Sequence, residues 1–236
     1  MPLSLRCLEL GIWKYYRKHT SMSIIVWQSI IVLMPTKNAS TTKENALRQE
    51  GYLFVAGIDE VGRGSLAGPL VAGVVILPNN YRLKLYDSKL LNHRARVGLV
   101  VQIKTAAVGF GLGWVNNNEI DNNGLAWALH EAYIRALIDM NMPVSKVLLD
   151  GNVDYLADYD ICETCVKGDQ KITCVAAASI LVKVARDEYM IGLSNKYPEY
   201  GYETNVGYGT VSHREAIAEH GMSDLHRASF SSKILT

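Results

Sequence analysis

The sequence predicts an α/β domain built on a mixed sheet and closed by a small helical part. Three observations carry this. Two β-rich apolar runs, 53–59 and 70–77, stand either side of a glycine turn and suit an antiparallel pair. Farther on, a strand–helix–strand succession implies a parallel crossover. Residues 196–236 then lose the strand pattern and become a loop dense in Tyr and Gly, followed by a short helix. At 236 residues the chain suits one domain, or one domain with a small appendage.

Residues 1–50 differ from the rest and are expected to be a poorly ordered leader and linker. Lys14, Arg17 and Lys18 precede an apolar run, Ile24 to Met34, which is too short for a bilayer span of roughly 20 residues. The preferred reading is a non-essential leader, or an upstream start whose real counterpart is Met34; a targeting segment is the alternative. The polar stretch Pro35 to Glu50 reads as a flexible linker.

Asp87-Ser88-Lys89 opens a polar segment that passes into a helical stretch, Asn92 to Lys104. Ala106 to Val115 alternates large apolar residues with glycines, as a twisted strand does. In the clearest helix, Leu125, Leu129, Ala132, Ala136 and Met140 recur at three- and four-residue spacing, with Tyr133 and Leu137 alongside. Asn122 or Asn123 can cap its start, and Pro143 lies beyond its end. Strands follow at Lys146 to Leu149 and Asp160 to Val166. A long helix, Ile172 to Asn195, carries the small patch Ala176-Ala177-Ala178-Ser179, suited to close packing on a sheet. Near the end, Ser212-x-x-Glu215 is a capping-box pattern and Gly221 a plausible stop.

The formal net charge of +1 does not announce a nucleic-acid binder, so any such function must come from a local patch. Cys7, Cys162, Cys165 and Cys174 are not a secreted disulfide framework. Cys162-x-x-Cys165 lacks a second ligand pair and is read as buried, reduced thiols.

Chemistry gathers at strand ends. The first strand ends at Asp59-Glu60, a later one at Asp150-Gly151, the next at Lys167-Gly168-Asp169. In open α/β sheets ligands sit beyond the carboxyl ends of parallel strands. Four carboxylates there suit two divalent cations, the arrangement used for displacement at phosphorus. Neighbouring strand residues point to opposite faces, so Asp59 and Glu60 share a site only if the strand bulges or ends there. Asp187, mid-helix beside Arg186, reads as an ion-pair or supporting group. His213, His220 and His226 show no ligand spacing and are read as surface or structural residues. A phosphate-loop NTPase is excluded, because Gly62 to Gly68 lacks the Gly-Lys-Ser/Thr ending.

The blocks Gly57-Ile-Asp-Glu-Val-Gly-Arg-Gly64, Asp87-Ser-Lys89, Leu149-Asp-Gly-Asn152, Lys167-Gly-Asp169, Ala176-Ala-Ala-Ser-Ile180 with Lys183-Val and Arg186-Asp187, Gly207-Tyr-Gly-Thr210 and His226-Arg-x-Ser-Phe230 together resemble ribonuclease HII. The resemblance runs in order from about Val55 to Phe230. It implies an RNase H-like mixed five-stranded sheet flanked by helices, with a catalytic core at 51–195 and a helical cap at 196–236. It also implies a cytoplasmic, monomeric, metal-dependent endonuclease acting on RNA–DNA hybrids and on single ribonucleotides embedded in duplex DNA, with two Mn2+ or Mg2+ ions and 5′-phosphate and 3′-hydroxyl products. By motif, Asp59, Glu60, Asp150 and Asp169 are the metal-binding catalytic carboxylates. The Gly62-Arg63-Gly64 turn corresponds to the 2′-OH-sensing loop, Tyr208 to the tyrosine at the ribonucleotide–deoxyribonucleotide junction. Lys89 and Lys183 are candidate phosphate contacts. Asn205-Val206 stands where the family often has His-Lys, and Leu90 where a second lysine is usual, which puts the strength of backbone binding in doubt. Asp121-Asn-Asn-Gly124 departs as well. The rival readings are another RNase H-like nuclease of the junction-resolvase type, which needs no 2′-OH sensor, and a non-catalytic nucleic-acid-binding module.

Overall fold

A computed structural model describes residues 39–79, 81, 85 and 92–231. The readings placed on residues 1–38, and those on Asp87, Lys89 and Leu90, lie outside the described residues. Five strands form one sheet: β1 (Val55–Val61), β2 (Leu70–Ile76), β3 (Gly109–Val115), β4 (Lys146–Asp150) and β5 (Cys162–Cys165). Their spatial order is β3-β2-β1-β4-β5. The first three pair antiparallel as a meander, while β1, β4 and β5 run parallel. The mixed five-stranded sheet expected from the sequence is therefore present.

Helices cover both faces. Numbered over the described residues, they are α1 (Thr42–Gln49), α2 (His93–Ala106), α3 (Asn117–Asn123), α4 (Leu125–Met140), α5 (Gly168–Lys171), α6 (Thr173–Gly192), α7 (Tyr202–Asn205), α8 (Val211–His220) and α9 (Ala228–Ser231). The alternation of β1 sends Ala56 and Ile58 to one side, where they join Leu129, Ala132, Tyr133 and Ala136 of α4 in the main core. Gly57 faces the other side, where α6 lies so close that a Cβ would overlap the backbone of Cys174 and Val175. The glycines of β3 have the same cause on the α4 side, since a Cβ at Gly111 or Gly113 would overlap the helix backbone at Ala132 and Ala136.

Several local expectations need correction. The second half of the supposed linker is the helix α1. Its Leu47 is buried, and the buried Glu44 accepts a hydrogen bond from the Cys174 N–H at 2.8 Å. Glu44 thus fills one of the orphan donors at the start of α6, and Arg48 donates to the Leu77 carbonyl at 2.8 Å. The polar composition hid these residues because they are paired, not solvated. Asn122 and Asn123 do not cap α4. They end α3, a helix opened by a capping box between Asn116 and Glu119, and Gly124 (φ 84°) stands at the α4 cap. Helix α8 is capped by Thr210, whose hydroxyl accepts from the His213 N–H, so Ser212 lies inside it.

Asp121 accepts from the Ala228 and Ser229 N–H groups and so ties down the start of α9. Cys162 and Cys165 are free and only half-buried, contrary to expectation. Three residues apart on a strand, they project to opposite faces, which removes a shared ligand role. No helix among the described residues is long and apolar enough to cross a membrane.

Candidate active site

The β1–β4 ladder ends at the pair Ile58–Leu149. Asp59 and Asp150 follow one residue later on neighbouring parallel strands. Alternation turns both toward α6, since Ile58 and Leu149 face the α4 core. Asp169 stands on α5, immediately after β5, and is 3% exposed. Asp150 thus closes β4 and Asp169 follows β5, while Asp59 stands inside β1, just past the point where that strand's ladder with β4 stops.

Glu60 is different. The antiparallel register of β1 with β2 continues without interruption through Glu60–Ala72 to Val61–Val71. No bulge brings Glu60 round, and the strand does not end at Asp59. Glu60 points to the α4 side, where its Oε2 accepts from the Tyr133 hydroxyl at 2.6 Å and the Arg63 guanidinium stands 3.8 Å from Oε1. Asp59 and Glu60 therefore leave β1 on opposite faces, so neither the bulge nor the strand end that would let them share a site is present at Asp59.

The electrostatics of the group are unfavourable without a cation. Burial pushes the Asp59 carboxyl well above the usual range, and the neighbouring Glu60 and Asp150 charges push it farther. Hydrogen bonds from Ser179 and from the Glu60 N–H (2.8 Å) pull the other way. Glu60 is also raised, chiefly by burial, against the pull of Tyr133 and Arg63. Burial raises the Tyr133 phenol too, which keeps it a donor.

Among the described residues no three acid, thiol or imidazole groups already stand close enough to hold an ion. Protein donors hold three of the carboxylates: Asp59 accepts from the Glu60 N–H, Glu60 from the Tyr133 hydroxyl, and Asp150 from the Gly168 N–H at 2.6 Å. The donor set is nonetheless all carboxylate oxygen, with Asp59 and Asp169 buried, Glu60 and Asp150 half-buried, and Asp59 repelled by both Glu60 and Asp150, which is the chemistry a hard divalent cation fits.

Beside the acids lies the glycine turn. Gly62 has φ 86°, and a Cβ there would overlap Arg186 and the Pro69 carbonyl. Its N–H donates to the Tyr208 hydroxyl at 3.3 Å, so the turn and the predicted junction tyrosine do meet. Over Gly64 the space is open, and the Arg63 side chain is exposed. Lys183 pairs with Asp187 at 2.8 Å and also lies 5.6 Å from the centre of the Tyr208 ring. It stands ion-paired at the rim beside Tyr208.

Two arginines to which sequence reasoning assigned no role hold this region together. Arg186 and Arg227 are fully buried. Arg186 donates to the carbonyls of Pro69, Val206 and Ala67 and to the Ser65 hydroxyl, and its guanidinium stacks 5.3 Å from the Tyr208 ring centre. Arg227 donates to the carbonyls of Gly68 and Arg63. The available signal was an arginine set among apolar helix positions, Val182, Val184 and Met190, which announces a buried donor rather than a surface charge.

The family described as ribonuclease HII matches residues 56–233. A ribonuclease HII of Bacillus cereus (strain B4264) is 42% identical over 189 residues, covering 79% of this chain and 72% of that protein. One from Thermosynechococcus vestitus is 41% identical over 194 residues, covering 81% and 90%. Among solved structures, the ribonuclease H2 from Pyrococcus horikoshii OT3 superposes with a TM-score of 0.67 at 28% identity, covering 77% of this chain and 97% of that one.

Proposed function

The chain belongs to the ribonuclease HII family, and on that premise we propose that it cuts both RNA–DNA hybrids and duplex DNA carrying single ribonucleotides, using two divalent ions. It is an endoribonuclease of the ribonuclease H type, and the family depends on divalent metal. The observation that carries the finer reading is one juxtaposition: Asp59 within β1, Asp150 at the end of β4 and Asp169 after β5, beside a glycine turn bonded to Tyr208.

Asp59, Asp150 and Asp169 would hold one ion, and Asp59 with Glu60 the other. When bound, Mn2+ or Mg2+ would activate a water and stabilise the leaving 3′-oxygen, giving 5′-phosphate and 3′-hydroxyl ends. Tyr133 holds Oε2 of Glu60 and Arg63 stands beside Oε1. Ser179 and the Glu60 N–H fix Asp59.

The 2′-OH alone distinguishes a ribonucleotide on a shared backbone. Gly62, Arg63 and Gly64 offer it backbone groups with no Cβ in the way at either glycine. Tyr208, accepting from Gly62, keeps its own hydroxyl proton to donate. Arg63, Lys89 and Lys183 would meet phosphates. The reading includes action as a monomer in the cytoplasm.

A duplex with one ribonucleotide, incubated with Mn2+ or Mg2+ and mapped for its cut, tests this. Cleavage at the ribonucleotide with an all-DNA duplex left intact supports it. Equal cleavage of the all-DNA duplex would point to a junction-type nuclease instead.

A further inference from the structure

Outside the acid cluster, the described residues hold a second group of buried ionisable side chains, in the helical part. His213 of α8 and His226, just before α9, are 0% and 4% exposed and face each other through their Nε2 atoms at 3.1 Å. Two facing ring nitrogens make a hydrogen bond only if one carries a proton and the other does not. The outer partners decide which. The Ser223 N–H, 2.9 Å from His226 Nδ1, can only donate, so that nitrogen is an acceptor. The His226 proton therefore sits on Nε2 and is given to His213 Nε2. His213 then carries its own proton on Nδ1, which points to the Tyr208 carbonyl at 2.9 Å, a group that can only accept. The polarity is consistent along the whole run, from Ser223 through both rings to Tyr208.

We propose that His213 and His226 are positioning residues for cleavage, forming a one-directional chain of neutral imidazoles that fixes the backbone of Tyr208 and, through it, the edge of the ribonucleotide pocket. The rest of the loop is pinned in the same way. The Thr210 N–H also donates to the Tyr208 carbonyl at 2.8 Å, and Asn205 bridges the Tyr200 carbonyl and the Gly207 N–H. The titratable groups packed on the pair are the rings of Tyr200, 4.8 Å from His226, and Tyr202, 5.5 Å from His213. Ser223 Oγ completes the His226 end at 2.9 Å. Neighbouring Arg227 turns its charge away, to the carbonyls of Gly68 and Arg63. A proton added to either ring would set two N–H groups against each other, or one against the Ser223 N–H, and break the chain.

The inference rests on reading Tyr208 as part of the substrate pocket, so its test has one arm that needs no substrate. Long-range proton–nitrogen NMR on the wild-type protein should show His226 as the Nε2–H tautomer and His213 as the Nδ1–H tautomer, both neutral at pH 6. The opposite tautomers, or free titration near 6.5, would overturn the chain whether or not the protein cuts.

The second arm is a double-mutant cycle on a duplex with one ribonucleotide. His226→Asn, whose amide is too short to reach His213, should lower kcat/KM by roughly ten- to a hundredfold. In a Tyr208→Ala background the same change should add little, because both act through one group. Fully multiplicative losses would mean that the histidines act elsewhere. An inactive wild type with the expected tautomers would count against the proposed substrate, not against the chain.

Discussion

At the scale of single residues, Asp59 carries the most. It is buried beside Glu60 and Asp150, and its charge is held against burial by two hydrogen bonds. Replacing it by Asn keeps the shape and an acceptor while removing the repulsion. Asp59→Asn should therefore abolish cleavage yet raise the thermal midpoint of the metal-free protein. Mn2+ should raise the midpoint of the wild type and not that of the variant, as a scan with and without the ion will tell. A variant that cuts at the wild-type rate would sink the assignment. Asp150 and Asp169 were legible because a carboxylate at or just after a strand's end shows in the sequence, whereas β1 was read too short and runs past Asp59 to Val61. The face of Glu60 was not legible, because it depends on whether β1 stays in register past Asp59, and that register is set by its partner β2.

Val206 is a second case at this scale. It takes a left-handed conformation (φ 43°), rare for a β-branched residue, and its carbonyl accepts from Arg186 at 2.8 Å. A lysine there would remove the branching and restore one cation beside the duplex. Val206→Lys should tighten duplex binding and steepen its salt dependence by about one unit in log–log slope. Titrating affinity against salt concentration checks this, and an unchanged slope would place residue 206 away from the phosphates.

Among elements, α1 shows why composition misleads. Its stretch reads as a linker because Thr, Lys, Asn and Glu dominate it, but only a few of its side chains need partners for it to dock. Leu47 supplies the apolar contact, and Glu44 supplies the acceptor that the start of α6 lacks. Glu44→Ala should cost about 1–2 kcal/mol, the range for a lost cap. Glu44→Gln keeps an acceptor without a buried charge and should cost less. Urea denaturation of the two variants distinguishes capping from charge, and equal losses would show that Glu44 acts through its charge. The strands and long helices were legible because their apolar periodicity is written locally. Caps such as Thr210 and the short helix α3 were not, since two adjacent candidates look alike until the chain's exit direction is known.

For the molecule as a whole, the question is how the helical part is joined to the sheet. The joints are polar and buried: Arg186 and Arg227 on the carbonyls flanking the glycine turn, and the histidine pair on Tyr208. Such a joint should respond to acid. Burial, then the neighbouring His213, pushes His226 down to about 4 from an ordinary 6.5. Between those values the unfolded chain binds a proton that the folded protein refuses, so stability falls as pH drops from about 6.5 to about 4, and no farther from this cause. The full window corresponds to about 3 kcal/mol at most. The carboxyls of Asp59 and Glu60 work in the opposite sense, because their folded values are raised and acid relieves them. The net curve therefore mixes two signs, and the wild type alone cannot separate them. Subtracting the curve of His226→Asn, with metal absent throughout, leaves the imidazole contribution. That difference should grow steadily below pH 6.5 and level off near 4. A flat difference would mean that His226 titrates alike in both states and that the joint between the two parts is insensitive to its charge.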